Sequence, residues 1–215
     1  MKTPHPTNRL KPLSVNGLLC LMGRPNDFFS GAFNLTHIPS LLTIGFICGL
    51  ERASVSLPFT TVEPDQIANL FNGIAPQWSQ VWRSLLPVAV VMGILKWFVG
   101  GFWYSLRAKW CGYDGRDALL PKSIFMYSEA ILAIPLVLHL IFQTLIYADP
   151  TAANLATNPT MVHLVAMSLG AVSILISYNA AKRLLGISGP MTRLWFLSLP
   201  LALLVFTLMT LVFVK

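Results

Sequence analysis

The chain has 215 residues, of which 55% are hydrophobic and only 11% are charged, and its mean hydropathy is +0.66. Soluble domains carry about 25% charged residues, so this composition excludes a water-soluble globular protein and indicates an all-α integral membrane protein. The net charge of +7 does not indicate nucleic-acid binding, because the basic residues flank apolar segments, where they set membrane topology. We expect the lipid bilayer as a partner and no nucleic acid.

The N-terminal segment, residues 1–34, contains a moderately apolar stretch from Leu13 to Phe33 that is interrupted by polar residues. Its continuous apolar run, Leu18 to Met22, is shorter than the core of an ordinary signal peptide, so we expect this end to be retained. A mixed stretch of this kind is typical of an amphipathic helix lying on a membrane surface. The sequence therefore predicts a short interfacial helix in a cytoplasmic segment.

Residues 35–215 predict a membrane domain with five transmembrane helices. A helix that crosses a bilayer needs about 20 mostly apolar residues, and five stretches qualify. We call them spans one to five: about Ile38–Leu57, Leu85–Leu106, Ser123–Tyr147, Met161–Leu185 and Leu194–Val214. In the first loop, between spans one and two, apolar residues recur at helical spacing from Ile67 to Ile74, which predicts a further helix.

The distribution of basic residues predicts the topology. Eleven of the 15 lysines and arginines lie in the N-terminal segment, the second loop and the fourth loop, against three on the other side. Because basic residues favour the cytoplasmic side, we expect the N-terminus in the cytoplasm and the C-terminus outside. Four tryptophans fall near the predicted interfaces, as in aromatic belts: Trp78, Trp82, Trp103 and Trp110.

Three ionisable residues, Glu51, Lys96 and Glu129, fall inside predicted spans. Each costs at least about 2.5–3.5 kcal/mol at membrane depth, so each needs a partner, a water-filled cavity or a function. A rise of about 1.5 Å per residue places both carboxylates within about 5–6 Å of the level of Lys96. Two interpretations are open: a structural ion pair, or an intramembrane polar site that handles protons, ions or lipid headgroups.

The spacing favours a pair between Lys96 and Glu129. Glu51 then has two competing partners near the outer interface, Arg52 and Arg83. Small residues within spans allow helices to pack closely, and we expect Gly100, Gly101 and Gly170 to serve helix packing, including packing between subunits.

No motif predicts catalysis, a metal site or a cofactor. Cys20, Cys48 and Cys111 are far apart, and no His/Cys spacing suits a metal. Gly186-Ile187-Ser188-Gly189 resembles the serine motif of rhomboid proteases, but a serine nucleophile needs an activating base. No histidine follows Ser188, and we expect His163 at the opposite membrane face. We therefore expect no enzyme activity.

Three stretches together resemble the Yip family (Ypt-interacting proteins), particularly its bacterial branch. The first is Arg-Pro-Asn-Asp-Phe-Phe at residues 24–29, and the second is the glycine pair with aromatics at residues 97–104, followed by glycines at 112 and 115. The third is Gly-Ile-Ser at residues 186–188. The resemblance covers about residues 13–214 and rests on the order and spacing of these stretches.

The resemblance implies a five-span Yip domain in a bacterial inner membrane. Eukaryotic members interact with Rab-type GTPases and carry long cytosolic tails, whereas this chain has a short N-terminal segment, which argues against GTPase binding. We expect a non-enzymatic scaffold or accessory subunit that organises partner proteins or lipids, or that self-associates. The alternative is a small transporter or lipid-handling protein with its polar site at Lys96, Glu129 and Glu51.

Overall fold

The computed structural model describes residues 11–56, 77–115 and 117–213. Within these ranges the regular structure is helical, and five helices are long and apolar enough to cross a membrane. The prediction of an all-α, multi-pass membrane protein with five spans is confirmed by the number, length and composition of these helices. The predicted helix from Ile67 to Ile74 lies outside the described residues.

The helices begin and end as follows. The N-terminal helix is Val15–Gly23, and a short turn, Pro25–Asp27, continues into a π-helical turn, Phe28–Ala32. Span one is Ile38–Ser56, and span two consists of Trp78–Leu95, a π-helical turn Lys96–Gly100, and Gly101–Trp110. Span three is Leu119–Ile146, and a short helix, Pro150–Ala156, joins it to span four, Pro159–Leu184. Span five consists of Pro190–Arg193, a π-helical turn Leu194–Ser198, and Leu199–Phe213.

Spans two, three and five begin four to seven residues earlier than hydropathy predicts. Span two starts at a capping box, in which the side chains of Gln77 and Gln80 each accept a hydrogen bond from the other residue's backbone N–H. Span three starts where Asp117 accepts hydrogen bonds from the backbone N–H groups of Leu119 and Leu120, at 2.9 and 3.2 Å. Polar caps satisfy the free N–H groups of a helix start. Spans two and three therefore extend past their apolar stretches to polar residues that hydropathy assigns to loops.

Spans one and three form the centre of the bundle. In their most apolar windows 44% and 39% of residues are buried, against 11% in spans four and five. Span one packs against span two at backbone contact, because a Cβ added to Gly49 would collide with the Ala89 carbonyl, and one added to Gly93 with the Gly45 carbonyl. Small residues four positions apart on both helices permit this approach.

The N-terminal segment packs onto the bundle through aromatic residues. Phe28 and Phe29 are fully buried, and the Phe28 ring lies 4.8 Å from that of Phe33 and 5.3 Å from that of Tyr127 in span three. Arg183, at the end of span four, donates a hydrogen bond to the Asn26 carbonyl at 3.2 Å. The N-terminal segment, the first part of span three and the end of span four therefore meet at one end of the bundle.

Candidate functional site

Lys96 lies between two carboxylates that come from two other spans. Its Nζ atom is 2.7 Å from Oε2 of Glu129 in span three and 3.3 Å from Oε2 of Glu51 in span one. The two distances place both carboxylates in ion-pair contact with one ammonium. We call Glu51, Lys96 and Glu129 the charge triad, and it connects the three spans at a single point inside the bundle.

The close packing of spans one and two positions the first of these contacts. Glu51 follows Gly49 by two residues, and Lys96 follows Gly93 by three. Because the helix backbones touch at these glycines, the lysine side chain reaches the carboxylate of the neighbouring span. Gly45 and Gly49 were not predicted to be packing residues. Two glycines spaced four apart in a span are nevertheless a sequence pattern that indicates close helix packing.

A π-helical turn begins at Lys96 and ends at Gly100. Such a turn contains one more residue than an α-helical turn, and short π segments are frequent at functional sites. The extra residue changes the direction in which all later side chains of span two point. Lys96 faces spans one and three, while Tyr104 faces spans four and five, where its hydroxyl donates to the Ser177 carbonyl at 3.2 Å.

The charge triad contains two carboxylates and one ammonium, so with all groups ionised it carries a formal charge of −1. Its side chains are shielded unequally: Glu51 is 7% exposed, Lys96 16% and Glu129 27%. The thiol of Cys48 is buried nearby in span one and donates a weak hydrogen bond to the Met126 carbonyl, with sulfur and oxygen 3.9 Å apart. A buried net negative charge of this kind costs free energy unless further groups compensate it.

The predicted contact between Lys96 and Glu129 is present. Glu51 contacts Lys96 as well, so the lysine has two carboxylate partners rather than one. Arg83, proposed from the sequence as a competing partner of Glu51, has an exposed side chain. The predicted depths placed the three groups at a similar level in the membrane. They did not indicate which helix faces of the spans contact one another.

The three glycines singled out for helix packing lie against other parts of the same chain. A Cβ on Gly100 would meet the Phe125 ring, one on Gly101 would meet the Lys122 side chain at 3.1 Å, and one on Gly170 would meet Leu204 at 3.5 Å. Gly100 and Gly101 thus pack span two on span three, and Gly170 packs span four on span five. These contacts within one subunit explain why the three positions are occupied by glycine.

Comparison of the chain with family models, with curated proteins and with solved structures found no match.

The serine of the Gly-Ile-Ser-Gly stretch lies in the turn between spans four and five. Ser188 is exposed, and Gly186 and Gly189 adopt positive φ values of 66° and 122°, which glycine accommodates without strain. His163 lies near the start of span four, whereas Ser188 follows the end of that span. An open cavity of about 440 Å³ adjoins the turn and is lined by Gly189, Pro190, Arg193, Leu194 and Ser198.

A second polar centre lies where span two ends and span five begins. The Arg107 guanidinium lies over the rings of Tyr104 and Phe196, with its carbon 5.4 and 5.1 Å from the ring centroids. Its Nη1 atom donates to the Trp195 carbonyl at 2.9 Å. From the sequence, Arg107 is only one of the basic residues between spans two and three. Its packing against span five could not be predicted, because it depends on the fold.

Proposed function

We propose that this protein is a non-enzymatic, multi-pass membrane scaffold or accessory subunit of the Yip type, which organises partner proteins or lipids in a bacterial inner membrane. The observation that carries the proposal is the contact of Lys96 with Glu51 and Glu129. This contact joins spans one, two and three into one unit. Spans four and five, only 11% buried in their apolar windows, leave most of their surface to lipid or to another protein.

Two of the stretches on which the resemblance to the Yip family rests lie in packed parts of the bundle. Phe28 and Phe29 of the Arg-Pro-x-x-Phe-Phe stretch are in the core, and Gly100 and Gly101 form part of the contact between spans two and three. The N-terminal helix presents Val15, exposed by 75%, together with Leu19 and Met22 on one side. This apolar side supports a position at the cytoplasmic membrane surface, with residues 1–34 as the cytoplasmic segment.

Site-directed crosslinking in native membranes tests the scaffold proposal. In a background without native cysteines, we expect a cysteine at lipid-exposed Leu203 of span five to crosslink to a partner or to a second copy. The matched control is a chain that keeps only the native Cys48, which is buried and should give no crosslink. If the Leu203→Cys chain yields only uncrosslinked monomer across a series of linker lengths, the scaffold proposal is rejected.

A second candidate function, a small transporter or lipid-handling protein, is favoured by the formal charge of −1 in the charge triad. A proton or a cation that enters through the exposed part of Glu129 would balance this charge. The test is ion flux into liposomes that contain the purified protein, followed with an internal pH dye and with a cation-sensitive dye. We expect a transporter to lose flux when all three groups are neutralised, whereas equal flux in protein-free liposomes excludes this candidate.

A further inference from the structure

The Arg107 guanidinium has no close ion pair with any described residue. No carboxylate in residues 11–56, 77–115 or 117–213 lies within ion-pair distance of it. Glu129 acts on it electrostatically from a longer distance, but that carboxylate is bound to Lys96 at 2.7 Å. The side chain is partly buried between Tyr104 and Phe196. A cation that is partly removed from water requires compensation by an anion or by hydrogen bonds.

Two donors at this place lack acceptors. Nε of Arg107 and Nε1 of Trp195 are both buried, and neither has a hydrogen-bond partner in the part of the chain that the structure describes. The two residues are in contact, because Nη1 of Arg107 donates to the backbone carbonyl of Trp195. A buried donor without an acceptor costs free energy, and here two such donors adjoin a positive charge. The chemistry that is missing is an anionic oxygen acceptor.

The surroundings indicate the level of the membrane surface. The rings of Trp103, Trp110 and Trp195 form a cluster, with centroids 4.9 to 6.2 Å apart, and tryptophans of membrane proteins concentrate at headgroup level. Exposed basic residues of the same end of the bundle raise the positive potential there: Lys109, Lys182, Arg183 and Arg193. Positive segments at this level attract anionic lipids.

We propose that Arg107 and Trp195 bind a phosphate group at the membrane surface, where span two ends and span five begins. The ligand chemistry is an anionic phosphate oxygen, supplied by an anionic phospholipid headgroup or by free phosphate. The guanidinium and the indole N–H donate to the phosphate, and the tryptophan cluster packs against the glycerol and upper acyl region. This proposal does not depend on the charge triad or on the scaffold role.

The test uses the purified full-length chain in detergent and native mass spectrometry. Phosphatidylglycerol and phosphatidylcholine with the same acyl chains are titrated separately, and radiolabelled inorganic phosphate is offered in equilibrium dialysis. We expect preferential retention of phosphatidylglycerol, and about tenfold weaker binding in Arg107→Gln, the scale of one charge-assisted hydrogen bond. Lys109→Gln is the matched control: it removes an exposed charge two residues away, which contributes only to the general positive potential, so it should weaken binding much less than Arg107→Gln.

A second variant separates lost binding from lost folding. Trp195→Phe keeps an aromatic ring and removes only the N–H donor, so it should fold and still bind phosphatidylglycerol more weakly. Binding of inorganic phosphate that depends on Arg107, without preference between the lipids, supports the same site with free phosphate as its ligand. Equal retention of both lipids without phosphate binding overturns the proposal, and so do equal losses in Arg107→Gln and Lys109→Gln.

Discussion

Gly49 of span one lies directly against the backbone carbonyl of Ala89 in span two. This contact brings two helix axes closer together than larger side chains would permit. Because the two backbones are so close here, the side chains of Glu51 and Lys96 reach each other across the contact, with Nζ and Oε2 3.3 Å apart. The contact between Glu51 and Lys96 therefore depends on the close packing of spans one and two.

Substituting Gly49 with alanine should destabilise the protein. The added methyl group would collide with backbone, which cannot move aside as a flexible side chain does, so we expect a loss of about 1–3 kcal/mol, the cost of overpacking. The measurement is thermal or denaturant unfolding in detergent. Gly45→Ala is the matched control, since its methyl would meet only Met126 Cε at 3.8 Å; equal losses in the two variants would contradict the close contact.

Replacing Lys96 with methionine should be the most damaging single change in the charge triad. It leaves Glu51 and Glu129 facing each other without a cation, and breaking a buried pair by removing one partner costs about 3–5 kcal/mol. Glu51→Gln or Glu129→Gln should cost less, because each leaves one carboxylate paired with Lys96. Unfolding of all three variants under one detergent condition gives the ranking, and a Glu51→Gln loss as large as that of Lys96→Met would argue against it.

Neutralising all three groups together should recover most of the stability lost in Lys96→Met. The chain Glu51→Gln, Lys96→Met, Glu129→Gln has no unpaired charge, and replacing buried ions by neutral groups is often close to neutral in stability. Changing only Lys96 and Glu129 should not recover it, because Glu51 then remains alone. If the triple variant is no more stable than Lys96→Met, the ionic contacts are not the main stabilising interaction at this point.

The cysteines offer a test of topology and a pH dependence. Burial raises the pKa of the Cys111 thiol, and burial with the nearby Asp27 carboxylate raises that of Cys20. Thiolates are the reactive form, so a raised pKa means less thiolate at neutral pH and labelling that accelerates as the pH rises.

With a membrane-impermeant maleimide, we expect Cys20 and Cys111 to be labelled from the same side, the cytoplasmic one, and Cys48 to stay unlabelled because it is buried. Inside-out vesicles and spheroplasts give the two sides. Labelling of Cys20 and Cys111 from opposite sides would contradict the five-span order.

The sequence was sufficient for the spans because a bilayer imposes a length and a composition on every helix that crosses it. It was less accurate at helix ends, where Asp117 and Gln77 extend spans three and two beyond their apolar stretches. The predicted depths of Lys96 and Glu129 in the membrane were sufficient to predict their contact. They did not show that Lys96 also binds Glu51, because that depends on which faces of spans one and two meet.

Other features have no dependable sequence signal. The position of Arg107 over the Phe196 ring and beside the Trp195 carbonyl follows from how span five folds back, and Trp195 lies 88 residues after Arg107 in the sequence. The π-helical turns at Lys96 and Leu194 likewise depend on tertiary packing, since single-residue insertions into a helix leave its hydrophobicity almost unchanged.

The π-helical turn from Lys96 to Gly100 has a consequence for any alignment of this chain with distant relatives. The turn adds one residue to span two, so a relative with an uninterrupted α-helix there matches this chain before Lys96 in one frame and after Gly100 in another. A gap-free alignment would pair inward-facing positions on one side of the turn with lipid-facing positions on the other. Aligning the two halves of span two separately would restore the correspondence between inward-facing positions.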